Sequence, residues 1–373
     1  MGDNATAPWV TVKLARTAEE RELFARLRYE IYVAEMKMFS SVADHEARRL
    51  SDADDEGSEL LVAYAGGQPA GVMRLTFGAD APFPAHFLDA YGMDDFLPAV
   101  PRTAMMVVTR FVVRRVHRRT RVPFGLITEA ARIGAGRGIE IAFCDCQPHL
   151  ISLYQSLGFR PYRHTYNDPH FGLMVPLVFI ATDGDYLRQV GSPLLDTVID
   201  PAAPTSERAR RTAGLLPSRP PVRSLQRGQN YDWSTEIDTA VTGQALRVFQ
   251  DLDDSQLAEI LVHSHIIDVA SGDYLIRQGQ VTRTMYVLLG GELQYWSGHR
   301  HLADAEVGEV VGDVAFLLRT QRTIDVVAGP AGARVVSLNE PALQTVMESH
   351  SRTAAILLLN LCRMLARRVA ARS

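Results

Sequence analysis

The chain has 373 residues, 47% of them apolar and 22% charged, with a formal net charge of -4. That apolar content supports a packed core and excludes wholesale disorder, and the balanced charge excludes a chain that is basic throughout. At roughly 150 residues per domain, the length predicts two or three domains.

The N-terminus, MGDNATAPWV, has no basic region followed by an apolar one, so no secretory signal is expected. Gly2 and Thr6 fit the loose M-G-x-x-x-[ST] lipidation pattern, which is short enough to match by chance. No apolar run reaches the roughly 18 residues of a membrane span. Cys144, Cys146 and Cys362 are too few for a disulfide framework and lack zinc spacing, so a cytoplasmic chain without a metal is expected.

Residues 9–14 alternate as a strand, and 18–36 place apolar positions at helical spacing. Two apolar runs, 59–64 and 71–77, flank Ala65-Gly66-Gly67-Gln68 and read as a hairpin. A Met/Val-rich strand is expected over 104–113 and a helix over 124–135, closed by Gly136 and Gly138. A strand over 139–144 and a helix over 148–157, stopped by Gly158, follow. Prolines 201, 204, 217, 220 and 221 then punctuate a segment of weak periodicity, read as a linker with one short helix. Beyond it come a helix over 255–264, short strands broken at Ser271-Gly272-Asp273, Gly279-Gln280 and Gly290-Gly291, and a closing helix over 341–371. The expected organisation is α+β. A mostly antiparallel mixed sheet flanked by helices (1–190) and a Pro/Arg-rich linker (191–235) precede a β-roll, or jelly roll, with flanking helices (236–373).

The strings GDYLIRQG (272–279), MYVLLGGEL (285–293) and GEVVGDVAFLLRTQRTIDVV (308–327) resemble the cyclic-nucleotide-binding domain family. A glycine leading into a helix start offers backbone N–H groups to an anion, and a nearby arginine neutralises it. The resemblance implies that Gly312, Val314 and Ala315 supply that backbone and that Arg322 holds the cyclic phosphate of cAMP or cGMP. It also implies that Asp313 grips the ribose, where the family has glutamate, and that Thr323 reaches the purine. Ile324 stands where a small residue is usual. No DNA-reading motif follows the last helix before Ser373, so no nucleic-acid partner is expected. Arg363, Arg367, Arg368 and Arg372 read as a solvated helix end. Leu358, Leu361 and Leu365 form a face for a second copy (a homodimer) or for the chain's own barrel.

FCDCQPHLISLYQSLGFRPY (143–162) resembles the GCN5-related N-acetyltransferase (GNAT) superfamily. In that superfamily the tyrosine at the position of Tyr154 often protonates the departing thiolate of coenzyme A; the alternative role of Tyr154 is packing. Upstream, seven arginines (102, 110, 114, 115, 118, 119 and 121) and no acid lie between Phe96 and Thr128, ahead of a helix expected to start near Phe124-Gly125. By resemblance the pyrophosphate of the donor lies there, on Val112, Arg118, Arg119, Arg121, Phe124 and Gly125. The strings LRYEIY (27–32), GVMRL (71–75) and VTRF (108–111), together with Asp52 and Asp55, resemble autoinducer synthases and long-chain N-acyl amino acid synthases. That resemblance implies that Arg28, Asp52, Asp55, Arg74 and Arg110 organise the acceptor amine. It further implies acyl-CoA or acyl carrier protein as donor, the latter an acidic partner for the basic loop. Val107 stands where the synthases carry glutamate. Glu30, Asp52, Asp55 and Glu129 are all candidate general bases. The opposing reading is a non-enzymatic binding protein on a transferase fold.

Overall fold

The computed structural model describes residues 9–224, 246–262 and 264–370. The pattern at Gly2 and Thr6, and residues 225–235 of the expected linker, lie outside the described residues.

The chain opens with β1 (Val10–Leu14) and α1 (Ala18–Arg28), followed by the hairpin β2 (Glu59–Ala65) and β3 (Gln68–Phe77). Then come α2 (Ala85–Tyr91), β4 (Met105–Val113), α3 (Val122–Gly136), β5 (Ile141–Cys146) and α4 (Ile151–Leu157). Strands β6 (Arg160–Pro161), β7 (Tyr166–Asp168) and β8 (Gly172–Ile180) precede α5 (Gly184–Gln189), α6 (Leu195–Val198) and α7 (Glu207–Ala213). The second half runs through β9 (Val222–Ser224), α8 (Asp254–Leu261), β10 (His265–Val269), β11 (Tyr274–Ile276), β12 (Thr284–Ser297), β13 (Arg300–Ala305) and β14 (Val310–Val311). It closes with α9 (Asp313–Leu318), β15 (Asp325–Asn339), α10 (Glu340–Ser349) and α11 (Ser351–Ala370). The architecture is therefore α+β, with two sheets each flanked by helices.

The first sheet has the order β1-β2-β3-β4-β5-β8-β6, with β7 paired to β8. Strands β1 to β4 are antiparallel, whereas β4 and β5 are parallel and pair only over Met105–Val107 and Ile141–Phe143. Their continuations are not paired to each other, so the sheet opens between them. Helix α1 starts where Thr17 Oγ1 accepts from Glu20 N–H and Glu20 returns the bond to the Thr17 N–H, a reciprocal cap. The expected helix over 18–36 changes character at Tyr29, where the wider π-helical turns of Tyr29–Glu35 begin.

The second sheet has the order β13-β12-β15-β10-β9, with β11 on β15 and β14 on β12. Its core gathers Phe249, Leu261, Ile266, Met285, Leu289 and Val336 with Leu357, Leu361 and Met364 of α11. Of the two readings of that face, a second copy or the chain's own barrel, Leu361 and Leu358 take the second: Leu361 is buried and Leu358 packs against the same core. Burying each such side chain stabilises by roughly 1.5–3 kcal/mol. The single closing helix expected over 341–371 is broken at His350 (φ -138°) into α10 and α11.

By its contacts the chain forms two compact units. The first gathers the described residues up to Asp145 with Tyr154–Arg160 and Leu177–Leu216, and the second gathers Cys146–Leu153, Pro161–Pro176 and the described residues from Pro217 onward. The chain therefore passes between the units at five places, one of them inside α4, between Leu153 and Tyr154. The segment read as a linker carries α6, α7 and β9 among its described residues.

Candidate functional site

Arg28, Asp52, Asp55, Arg74 and Arg110 come together in one network. Arg28, at the end of α1, gives Nη1 to both Asp55 oxygens (2.9 and 2.7 Å) and Nη2 to Asp52 Oδ2 (2.8 Å). Arg74 Nη1 reaches Asp55 Oδ1 at 2.9 Å and also binds Asp52 Oδ1. The two carboxylates are held by one tight turn, in which the Asp52 N–H donates to Asp55 Oδ2 at 3.0 Å. Two members were not foreseen: Asp54, which accepts from Arg74 Nη2 at 3.1 Å, and Thr109, whose Oγ1 accepts from Arg74 Nε at 2.9 Å. Asp54 adjoins the predicted pair, so the acidic run ADDE was the available signal; Thr109 had only its place beside Arg110.

Arg110 enters this network through an irregularity in its strand. Val72 pairs with Val112 but Arg74 with Thr109, so one extra residue bulges from β4 opposite Met73. Arg110 takes φ 53°, the left-handed region that costs a non-glycine residue energy. Its guanidinium then binds Asp52 Oδ2 through Nε (3.0 Å) and Nη2 (2.7 Å). The side chains of Arg28 and Arg74 are 1% exposed, whereas Asp52 (27%) and Arg110 (20%) reach solvent. Burial alone would push the Asp52 carboxyl upward, but the charges of Arg110, Arg74 and Arg28 prevail and hold it well below the carboxylate range. Asp52 is therefore a fixed anion and a poor general base. The other base candidates are also engaged: Asp55 inside the network, Glu30 by Arg114 and Glu129 by Arg132.

The same two strands also line a cavity of about 610 Å³, counting its open mouth. Met73 of β3 and Val108 and Phe111 of β4 form one side, and Ile127, Ala130 and Gly134 of α3 another. Tyr154 and Cys144 bring the only polar side-chain atoms of the lining; the remaining side chains are apolar. Tyr154 meets Phe159 edge-on, with centroids 5.5 Å apart. In β3 the neighbours Met73 and Arg74 serve cavity and network respectively, as do Val108 and Thr109 in β4.

The basic segment differs from its expected form. Helix α3 starts at Val122 with Pro123 in its first turn, and the Gly125 N–H is spent on Arg121 O (2.9 Å). A Cβ on Gly125 would lie 3.1 Å from Val10 Cγ1, so that glycine serves close packing on β1 rather than an anion cradle. Val112 is buried. Four of the seven arginines meet acids brought from elsewhere: Arg102 pairs with Asp94, Arg110 with Asp52, Arg114 with Glu30 and Arg118 with Glu35. Arg115, Arg119 and Arg121 are exposed, with no acidic partner among the described residues, beside Phe124 at 44% exposure.

In the second unit, Gly312 takes φ 79°, and a Cβ there would collide with Arg322 Nη1 at 2.6 Å. Arg322 is 3% exposed, and its donors serve Thr282 Oγ1 and the carbonyls of Thr284 and Gly312. Burial lowers its pKa. Asp313, also 3% exposed, accepts from Arg368 Nη1 of α11 at 3.1 and 2.9 Å, while Arg368 Nη2 reaches Val310 O at 2.6 Å. Arg368, expected in solvent, is thus a barrel contact. Val314 (49% exposed) and Thr323 lie at the surface, and Ala315 is buried. The cassette has the parts for a cyclic nucleotide, but both charged members already have protein partners.

Comparison with known families gives two matches. Residues 24–183 match the family model "N-acyl amino acid synthase FeeM", and residues 266–350 match "Cyclic nucleotide-binding domain". The chain joins an N-acyl amino acid synthase FeeM-type acyltransferase domain to a cyclic nucleotide-binding domain. It is 28% identical over 98 residues to cGMP-dependent protein kinase, isozyme 1, of Drosophila melanogaster, covering 26% of this chain and 13% of the kinase. It is 25% identical over 166 residues to cyclic nucleotide-gated channel beta-3 of Mus musculus, covering 43% of this chain and 23% of the channel. The chain thus spans less than a quarter of the length of these curated relatives. Among solved structures, the CoA-dependent acyl-homoserine lactone synthase BjaI overlaps 55% of this chain and 98% of its own, at 16% identity and TM-score 0.37. Among the described residues, no helix is long and apolar enough to cross a membrane.

Proposed function

We propose that the first domain transfers an acyl chain from a thioester, acyl-CoA or acyl carrier protein, to the amino group of an amino acid. We further propose that a cyclic nucleotide bound by the second domain regulates the transfer. The observation that carries the first reading is the bulged β4. One strand directs Arg110 and Thr109 into a charged network and Val108 and Phe111 into an apolar cavity, beside the opening between β4 and β5. An acyl chain fits the cavity because its lining is apolar apart from Tyr154 and Cys144. A zwitterionic acceptor fits the most exposed carboxylate and guanidinium of the network, its ammonium on Asp52 and its carboxylate on Arg110.

The chemistry is direct aminolysis of the GNAT kind. After losing a proton to water, the amine nitrogen attacks the thioester carbon. Backbone N–H groups released where β4 parts from β5 stabilise the oxyanion. The nitrogen of the tetrahedral intermediate gives its second proton to water, collapse breaks the C–S bond, and the Tyr154 hydroxyl protonates the leaving thiolate and is reprotonated from solvent. Arg115, Arg119 and Arg121, with exposed Phe124, suit a polyanionic donor or an acidic carrier protein. Such donors suit a reaction in the cytoplasm.

For the second domain, cAMP or cGMP must take Arg322 and Asp313 from their present partners, so binding loosens α11 at Arg368.

Incubation of the purified chain with acyl-CoA or acyl carrier protein donors and a panel of amino acids, with mass detection of the N-acyl product, tests the first reading. Product above the donor-hydrolysis background supports it, and a folded chain silent across the panel refutes it.

A further inference from the structure

The cavity has a wall that the family match does not account for. The match ends at residue 183, yet Leu194 and Val198, at the two ends of α6, line the same space as Ile127 and Gly134 of α3. This segment is fixed in place rather than loosely apposed. Ser192, 6% exposed, donates its Oγ to Leu157 O at 2.5 Å, at the end of the helix that carries Tyr154, and accepts from the Leu194 N–H at 3.2 Å. Downstream, Ile199 closes onto Gly184, where an added Cβ would stand 2.8 Å from Ile199 Cδ1. Leu194 is 2% exposed, whereas Val198 is half-buried.

We propose that α6 sets the acyl-chain length this enzyme accepts, with Leu194 and Val198 as specificity-determining residues against the hydrocarbon tail. The proposal rests on the acyltransferase reading, because it takes an acyl chain as the occupant of the cavity. An apolar wall discriminates homologous chains through the methylenes it admits or excludes, at about tenfold or more for each methylene excluded. A wall pinned by Ser192 has little freedom to retreat, so enlarging a side chain on it shortens the space instead of displacing the helix.

The test is a series of saturated acyl-CoA donors of increasing length, assayed with wild type, Val198→Phe and Leu194→Ala. Val198→Phe should lower kcat/KM by at least about tenfold for the longest donors accepted by wild type, while changing the shortest by less than about twofold. Leu194→Ala should move the optimum toward longer chains. Equal losses at every length, or an unchanged profile, would overturn the proposal. Should Val198→Phe fail to fold, Val198→Ala carries the same test with the sign reversed.

A binding assay separates this proposal from the reading beneath it. Displacement of cis-parinaric acid by saturated fatty acids reports the cavity without any transfer. No product from wild type, but a displacement cutoff that Val198→Phe shifts toward shorter acids, sinks the transferase reading and keeps α6 as the length gate. Transfer with an unshifted profile does the reverse, and neither transfer nor displacement sinks both.

Discussion

Asp52 and Arg110 are the most exposed carboxylate and guanidinium of the charged network, and substitutions there separate positioning from proton transfer. Because Asp52 is held ionised by three guanidiniums, it contributes stability that is present above its unfolded pKa near 3.8 and lost only as pH falls below that value. Around neutrality it takes up no proton. Asp52→Asn should therefore reduce kcat/KM by about a hundredfold or more while leaving the rise of activity with pH where it is in wild type. A limb that vanishes in the variant would make Asp52 the base after all. Asp55 is deeper, against Arg28 and Arg74. Asp55→Ala leaves two buried guanidiniums short of a partner and should cost about 3–5 kcal/mol by urea denaturation. His149 titrates in the opposite range from Asp52. Burial, assisted by the charge of Arg283, lowers its pKa from 6.5 to about 4, so the fold prefers it neutral. Stability of its unit is then complete above pH 6.5 and falls as pH drops from 6.5 toward 4, and His149→Gln should flatten the melting temperature across that window. These residues differ in how visible they were. Arg28, Arg74 and Arg110 stand in strings that carry family character, whereas His149 gains its meaning only from burial.

Among elements, the strand β4 and the helix α11 show where sequence reading ran out. The Met/Val run made β4 legible as a strand, but nothing in VTRF announces that Arg110 adopts φ 53°, because a bulge is defined by the partner strand. The basic segment was legible as charge and not as pairing: Glu30 and Glu35 reach Arg114 and Arg118 from across the fold. Helix α6 was hidden because four residues between proline-punctuated flanks carry no periodicity. Helix α11 was legible from its leucines, yet the Arg368–Asp313 pair, 55 residues apart, leaves no local trace. That pair sits on the side chain a ribose would need. Arg368→Ala should thus tighten cyclic nucleotide binding by about three- to tenfold in calorimetry, as one competing partner of about 1 kcal/mol is removed. Arg322→Ala should abolish binding, and equal affinity in wild type and both variants would mean that the cassette is purely structural.

At the scale of the whole molecule, the presence of two family-like regions was legible from two sets of motifs, which fall within the matched residues 24–183 and 266–350. The interleaving of the units was not, since Cys146–Leu153 and Pro161–Pro176 belong by contact to the unit around the nucleotide-binding sheet although they lie in the sequence of the synthase domain. If nucleotide and acyl donor are coupled through equilibrium binding, thermodynamic reciprocity requires equal effects. A cyclic nucleotide that changes donor affinity by some factor must see its own affinity change by the same factor when donor is present, as paired calorimetric titrations measure.

The central claim is that this chain builds an amide between an acyl chain and an amino acid, using the network that Arg110 enters. The most direct measurement is single-turnover reaction of wild type and Arg110→Ala with an acyl-CoA and a mixture of the twenty amino acids, read by mass spectrometry, with folding of both proteins verified by circular dichroism. Wild type should give an N-acyl amino acid, and the variant at least about a hundredfold less. Equal product from both, or none from folded wild type across acyl lengths and both donor types, would contradict it.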